Sequence, residues 1–298
     1  MGILFAMQDA VSQGVLWGML TLGVYITFKI LDIPDMTCDG SFALGGCVSA
    51  ALLVAGFPPV LAIAVAIVAG MLAGFVTGML HTRLMIPAIL SGILSMIALY
   101  SVNLRIIGGA SQALLGITTV FNQLMALTGL SQSNMRLIVG IIFAIIIVSI
   151  LYWFFGTEIG SAIRATGNNP FMVRALGCDT NNTIVLSLII SNGLIALSGA
   201  LVAQSQGYAD VKMGQGAIVI GLASIVIGEV IFGNRFNFAY VLASVIFGSI
   251  VYRIIIAVVL QLGLSTDDLK LLTAIVVAAA LGIPNFRQKL MIKRTPAE

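Results

Sequence analysis

Apolar runs long enough to cross a bilayer recur along the whole of this chain, and that recurrence decides its fold class. Hydrocarbon offers no hydrogen-bonding partner to a peptide group, so a segment at that depth must be helical or belong to a closed barrel. Barrel strands alternate with a period of two over short stretches. The runs here are long and continuous, as in IIFAIIIVSILYWFF at 141–155. Hydrophobic residues make up 60% of the chain and charged residues 8%, with a mean hydropathy of +1.13. Soluble domains carry roughly a quarter charged residues, so a water-soluble fold is excluded. The expected architecture is all-α: a polytopic transmembrane helical bundle forming a single transmembrane domain over 1–298.

Judged against the roughly 20 residues a crossing needs, spans are expected at 11–30, 42–57, 59–80, 86–105, 135–155, 183–205, 215–233, 238–260 and 269–285. The second and last are short, which suggests partial or tilted crossings. Residues 111–128 are apolar but broken by Gly116, Thr118, Thr119, Asn122 and Gln123, and are expected to form an interfacial or re-entrant helix. Met1–Ala10 lacks the basic start of a cleaved signal, so the first span is expected to be retained.

Arg83, Arg164, Arg174, Arg235 and the tail residues Arg287, Lys289, Lys293 and Arg294 all fall on one side if nine crossings run from an outside N-terminus. Basic loop residues mark the cytoplasmic side, and Lys29 also falls there. Asp210, Lys212, Asp267, Asp268 and Lys270 then lie outside. The net charge of +3 therefore points to headgroups and orientation rather than to nucleic acid. Cys38, Cys47 and Cys178 show no paired spacing and read as packing residues, and the single histidine, His81, reads as interfacial.

One polar island interrupts the pattern: GTEIGSAIRATGNNPFMVRALGCDTNN at 156–182, with Glu158, Arg164, Arg174 and Asp179. Asn169 suits an N-cap and Pro170 the first helical position, where its missing N–H costs nothing. A short helix from Pro170 to about Leu176 is expected to stop at Gly177. By shape it is either a helix lying on the membrane surface or a docking element for a partner.

The first polar break, LDIPDMTCDGSFALGG, sets Thr37, Asp39, Gly40 and Ser41 after the helix-ending Pro34. Two readings are open. Asp39 or Ser41 caps the second span, or the segment is unwound and lines a wet pathway. Gly40–Gly45 and Gly216–Gly221 share a Gly-x4-Gly spacing at crossings of opposite orientation. Inverted-repeat transporters place broken helices in this way, although such spacing also serves tight helix packing. Glu229 and Arg253 are ionisable positions inside spans and could pair. Asn103 and Arg105, after the fourth span, are candidates for an external contact. No catalytic constellation and no metal spacing is visible, and there is no phosphate-binding G-x-x-x-x-G-K-[ST] loop.

The island resembles the T-x-x-G-x-x-x-R-A-x-G-x-N-P-x-x-A-x-x-x-G loop of ABC importer permeases of the ribose and branched-chain amino acid type. Thr157, Gly160, Arg164, Ala165, Gly167, Asn169, Pro170 and Gly177 fall on that pattern, while Val173 replaces its alanine and Phe171 is bulkier than usual. DMTCDGSFALGG, TGMLHTRL and SVNLRIIG are similar to a subgroup whose binding proteins are linked to tryptophan or tyrosine. The resemblance implies a type II importer fold with inverted repeats and broken helices, and a permease dimer in a bacterial cytoplasmic (inner) membrane. It also implies two cytoplasmic ATPase subunits and an external substrate-binding protein. The island becomes a coupling helix, with Thr157, Glu158, Gly160, Arg164, Ala165, Asn169, Pro170, Phe171, Arg174 and Gly177 at the ATPase contact. Thr37, Asp39, Gly40, Ser41, Gly216, Gly221 and Glu229 are expected along the pathway. ATP and Mg would reside on the partner, so the chain needs no cofactor of its own. The competing expectation is an ion-coupled secondary transporter of a small polar solute.

Overall fold

The computed structural model describes residues 2–129, 131–233 and 237–261, with isolated positions at 271, 274, 275 and 278. Helix α1 (Gly2–Tyr25) runs into a wider π-turn at Ile26–Ile30. It is followed by α2 (Thr37–Val54), α3 (Pro59–Thr82) and α4 (Ala88–Ile107). Strand β1 (Ser111–Ala113) and the short α5 (Val120–Thr128) precede α6 (Gln132–Gly156). Then come α7 (Glu158–Asn168), α8 (Pro170–Ala175), α9 (Thr180–Gln206), β2 (Tyr208–Asp210), α10 (Ala217–Phe232) and α11 (Phe238–Gln261).

Among the described residues, seven helices are long and apolar enough to cross a membrane, and α10 adds a shorter apolar helix. These match eight of the nine expected spans; the ninth, 269–285, lies outside the described residues apart from isolated positions, as do Arg235 and the basic tail. The protein is a multi-pass membrane protein. Of residues 111–128, expected to form an interfacial or re-entrant helix, only Val120–Thr128 is helical. Ser111–Ala113 instead pairs antiparallel with Tyr208–Asp210, and α5 is set off by the Thr119 side chain, which accepts from Asn122 N.

Helix α9 runs through the interior, with α2 and α3 packed along it. Small residues allow this. A Cβ at Gly74 would overlap the Leu188 carbonyl oxygen, and one at Gly45 the Ala196 carbonyl. In lipid, such close backbone approach replaces the hydrophobic drive that pulls soluble helices together. The lipid-compatible surface lies elsewhere: Val60, Val68 and Leu72 of α3 and Ile142, Ile145 and Ile146 of α6 are exposed. One end of the bundle carries the β1–β2 pair and the other carries α7 and α8; these are called the sheet end and the loop end below.

Helix α2 begins well inside the bundle. The connection 31–36 turns back from the loop end, and Asp35 and Ser41 both reach Asn192, midway along α9. Of the two open readings, the unwound Thr37–Ser41 is the one that fails: these residues form the first turns of α2, and the irregular backbone is 31–36. The reason is local, because the Asp35 carboxylate accepts from Thr37 N at 2.9 Å and starts the helix there. Helix α10 starts at a matching depth, where Gly214 packs on the Asp39 backbone. The two helices then leave the middle in opposite senses, α2 toward the sheet end and α10 toward the loop end. This is the geometry of paired broken helices.

Candidate functional site: the loop-end helices and the central break

At the loop end, every turn of the polar island has a visible cause. Thr157 caps α7 by accepting from Gly160 N, and Glu158 in the first turn suits the positive end of the helix dipole. Gly167 and Asn168 complete α7, so the chain breaks only at Asn169. Gly167 is required by proximity: a Cβ would overlap the Ile30 carbonyl oxygen, where the π-turn of α1 ends. Asn169 then caps α8, its Oδ1 accepting from Phe171 N and Met172 N at 3.1 Å each. Pro170 occupies the first helical position, and Gly177 takes a φ of 86° just beyond the helix. Such a cap contributes about 1 kcal/mol, so a six-residue helix depends on it.

The structure separates the ten loop residues into supports and surface. The Arg164 guanidinium donates to the Phe155 carbonyl and lies 5.1 Å from the Phe238 ring centroid, which braces α7 against α6 and α11. Arg174 Nε donates to Thr180 Oγ1 at 2.6 Å, tying α8 to the start of α9. Gly160 is buried and Ala165 half-buried. Glu158, Asn169 and Phe171 face outward. Val173 is buried beneath α8, while Phe171, Met172 and Leu176 project away from the bundle, with Phe171 78% exposed. A rigid, capped turn thus offers three large apolar side chains in an otherwise polar loop. The sequence reading missed Met172 and Leu176, whose outward direction follows only from the burial of Val173.

The central break brings the remaining residues together. Asp39 was expected to cap the second span or to face a cavity. It caps a different helix: its carboxylate accepts from Gly216 N at 2.9 Å and Ile218 N at 3.0 Å, at the start of α10. Gly216 has a φ of 83°, which turns the chain into α10. Gly221 packs on Leu20 and Val24 of α1. Thr37 Oγ1 meets Thr77 Oγ1 at 2.8 Å, Thr77 donates to Ser95 at 2.7 Å, and Ser41 donates to Asn192 at 2.6 Å. Asn192 in turn donates to Asp35 at 2.8 Å. The Thr37 backbone N–H and the Asn192 amide thereby satisfy the Asp35 carboxyl, which is 1% exposed and has no cation beside it among the described residues.

Two expectations need correction. Glu229 does not pair with Arg253. It meets Lys29 at 2.9 Å near the loop end. Arg253 instead stacks 4.1 Å from the Trp17 ring centroid. Gly228 packs at Ser244, so Arg253 lies about 13 Å further along α11. Asn103, expected at an external contact, is 1% exposed and faces Gly40 inside the bundle, whereas Arg105, two residues on, is exposed. Gly40 packs under Leu99 and Met96 of α4 and, beside Asp39, forms part of a cavity wall.

Fold and loop together define a class: a multi-pass helical membrane protein with broken helices at its centre and a braced, capped helix presented at one end. Residues 6–281 match the family described as the permease component of branched-chain amino acid transport systems, and the chain belongs to that family. It is 40% identical over 290 residues to the tyrosine transport system permease protein of Clostridioides difficile, covering 97% of this chain and 94% of that one. It is also 34% identical over 275 residues to an uncharacterised protein of Rickettsia prowazekii, covering 91% of this chain and 95% of the other. The protein is a transport permease subunit, not an enzyme.

Proposed function

We propose that this chain is the membrane-spanning subunit of an ATP-driven ABC importer for an amino acid, an aromatic one by its likeness to the tyrosine permease. Two copies would form the pathway between them in a bacterial cytoplasmic membrane. Separate cytoplasmic ATPases, which carry the ATP and Mg, would supply the work, and an external binding protein would deliver the substrate. One observation carries the reading: α8 is fixed at both ends and braced from beneath, yet turns Phe171, Met172 and Leu176 outward. Exposed apolar side chains on a stiff scaffold form the buried centre of a contact rather than a solvated loop. When the ATPases close, α8 and α7 would move as one lever. Gly167 against Ile30 passes that motion to α1 and the 31–36 connection, and so to the starts of α2 and α10. Alternating access follows if those paired helix starts open to one side at a time.

The test is contact mapping. With Cys178 replaced by serine and Phe171 by cysteine, a short bifunctional reagent is expected to join the permease to its ATPase. A cysteine at Leu115, 95% exposed next to the β1 strand at the opposite end, is not. Joining at Leu115 and not at Phe171 would refute the assignment. The ion-coupled reading has one observation in its favour, the buried Asp35 carboxyl. It predicts uptake driven by an ion gradient without any ATPase.

A further inference from the structure

A cavity of about 410 Å³ opens beside the clasp between α2 and α10. Its wall includes Asp39, Met96, Tyr100, Ser101, Asn103 and Gln215. Pockets of a few hundred cubic ångströms with a few convergent polar groups are the usual size for small-molecule sites. Two features of its polar groups are unsatisfied. The Asp39 carboxylate is half-buried and accepts from Gly216 N and Ile218 N, with Ala217 N beside them, which still leaves at least about one of its four lone-pair positions free. Among the described residues no basic side chain stands within ion-pair distance of it. The α10 N-terminus offsets only about half a charge. The second feature is Asn103. It is 1% exposed, its Nδ2 reaches Gly40 O only at 3.5 Å, and its Oδ1 has no partner among the described residues. A buried acceptor left open costs stability, and such groups in native structures call for an explanation.

Both open groups are acceptors, and one is anionic. What they lack is a compact cation with several N–H donors. An ammonium group has three donors in tetrahedral array and can reach a carboxylate and an amide oxygen at once. Tyr100 and Met96 add an aromatic face and a polarizable sulfur on the same wall, where an apolar or aromatic side chain can lie. We propose that this cavity is a transit site in the permease that takes the α-ammonium group of an amino acid between the Asp39 carboxylate and the Asn103 Oδ1. The site deepens the transport reading and rests on it. It also gives Asp39 two functions. The carboxylate holds α10 to α2 and, on the free side, meets the substrate, so substrate passage and the clasp between the broken helices share one residue. Contact here is weak by design, because a transit site must release what it takes up.

The test uses the permease alone in lipid nanodiscs, without the binding protein, and reads ligand contact by saturation-transfer NMR. The probes are L-tyrosine, tyramine, which lacks the carboxylate, and 3-(4-hydroxyphenyl)propionate, which lacks the ammonium. L-tyrosine and tyramine are expected to bind, and the propionate at least tenfold more weakly. Asp39→Asn keeps an acceptor for the α10 N–H groups but drops the charge, and is expected to weaken tyramine at least tenfold. Asn103→Leu removes the open acceptor without adding a buried polar group. It is expected to weaken tyramine while leaving the thermal midpoint no lower, which separates ligand loss from misfolding. Equal binding of the three probes, tyramine binding unchanged in both variants, or binding of none of the three by the wild type would each overturn the site. ATP-driven uptake by the same wild-type protein, assembled with its partners, tests the transport reading separately. Uptake with no discrimination among the probes refutes the transit site alone; absence of uptake refutes the reading beneath it.

Discussion

Asn192 ties a connection, a broken helix and its own span together at one point, donating to Asp35 and Leu188 O and accepting from Ser41. Nothing about an asparagine in an apolar run announces such a role, because Asp35 and Ser41 lie more than 150 residues away in sequence. The same holds for Asp39. Its proximity to a helix start was legible, but the helix it caps is 177 residues downstream, and only packing reveals that. Asn103 was misplaced for a related reason: an asparagine close to the end of a span resembles surface chemistry until its burial is known. At this scale, Asn192→Leu is expected to leave the Asp35 carboxyl short of a donor. The cost is roughly 2–3 kcal/mol, the usual penalty for a buried polar group without its partner. Thermal unfolding in detergent measures it, and a midpoint equal to the wild type would show that the network is not holding these helices.

Among the elements, α8 was the most legible, since its signals are all local: an Asn cap, a proline in the first position and a glycine after the last turn. The outcome matches within a residue, Pro170–Ala175 against an expected end near Leu176. The start of α2 was less legible, because Thr37–Ser41 has the composition of a loop and is made helical by Asp35 and by cover from α4. The β1–β2 pair could not be foreseen, as two three-residue strands from distant connections carry no periodic signal. Asn169→Ala should cost α8 about 1 kcal/mol of cap energy. Hydrogen exchange at the Phe171 and Met172 amides, which Asn169 Oδ1 protects, is expected to speed several-fold while the spans stay unchanged. Unchanged exchange would mean that the bracing by Val173 and Arg174, rather than the cap, fixes the helix.

For the whole molecule, hydropathy alone was enough to establish a multi-pass helical bundle, and the positive-inside rule gave a side to each end. The structure is consistent with that count: β1 and β2, from two connections assigned to the outside, pair with each other, and Lys29 meets Glu229 at the end assigned to the inside. Cys38 and Cys47 are buried and Cys178 is exposed beside α8, so a thiol reagent reports the side of the loop end directly. An impermeant maleimide is expected to label Cys178 of the permease alone from the cytoplasmic face of sealed vesicles, and not from outside. Labelling from outside would reverse the topology and remove α8 from any cytoplasmic partner.

The central claim is that ATP hydrolysis on a separate chain drives transport through this one by way of α8. It is tested most directly by uptake of radiolabelled L-tyrosine into proteoliposomes holding the permease, its ATPase and its binding protein, with the proton gradient clamped at zero. Uptake is expected to require internal ATP and to fall at least tenfold when Phe171→Asp places a charge at the centre of the contact, with membrane levels of the permease unchanged. Uptake that persists without ATP, or that Phe171→Asp leaves at the wild-type rate, would contradict the account.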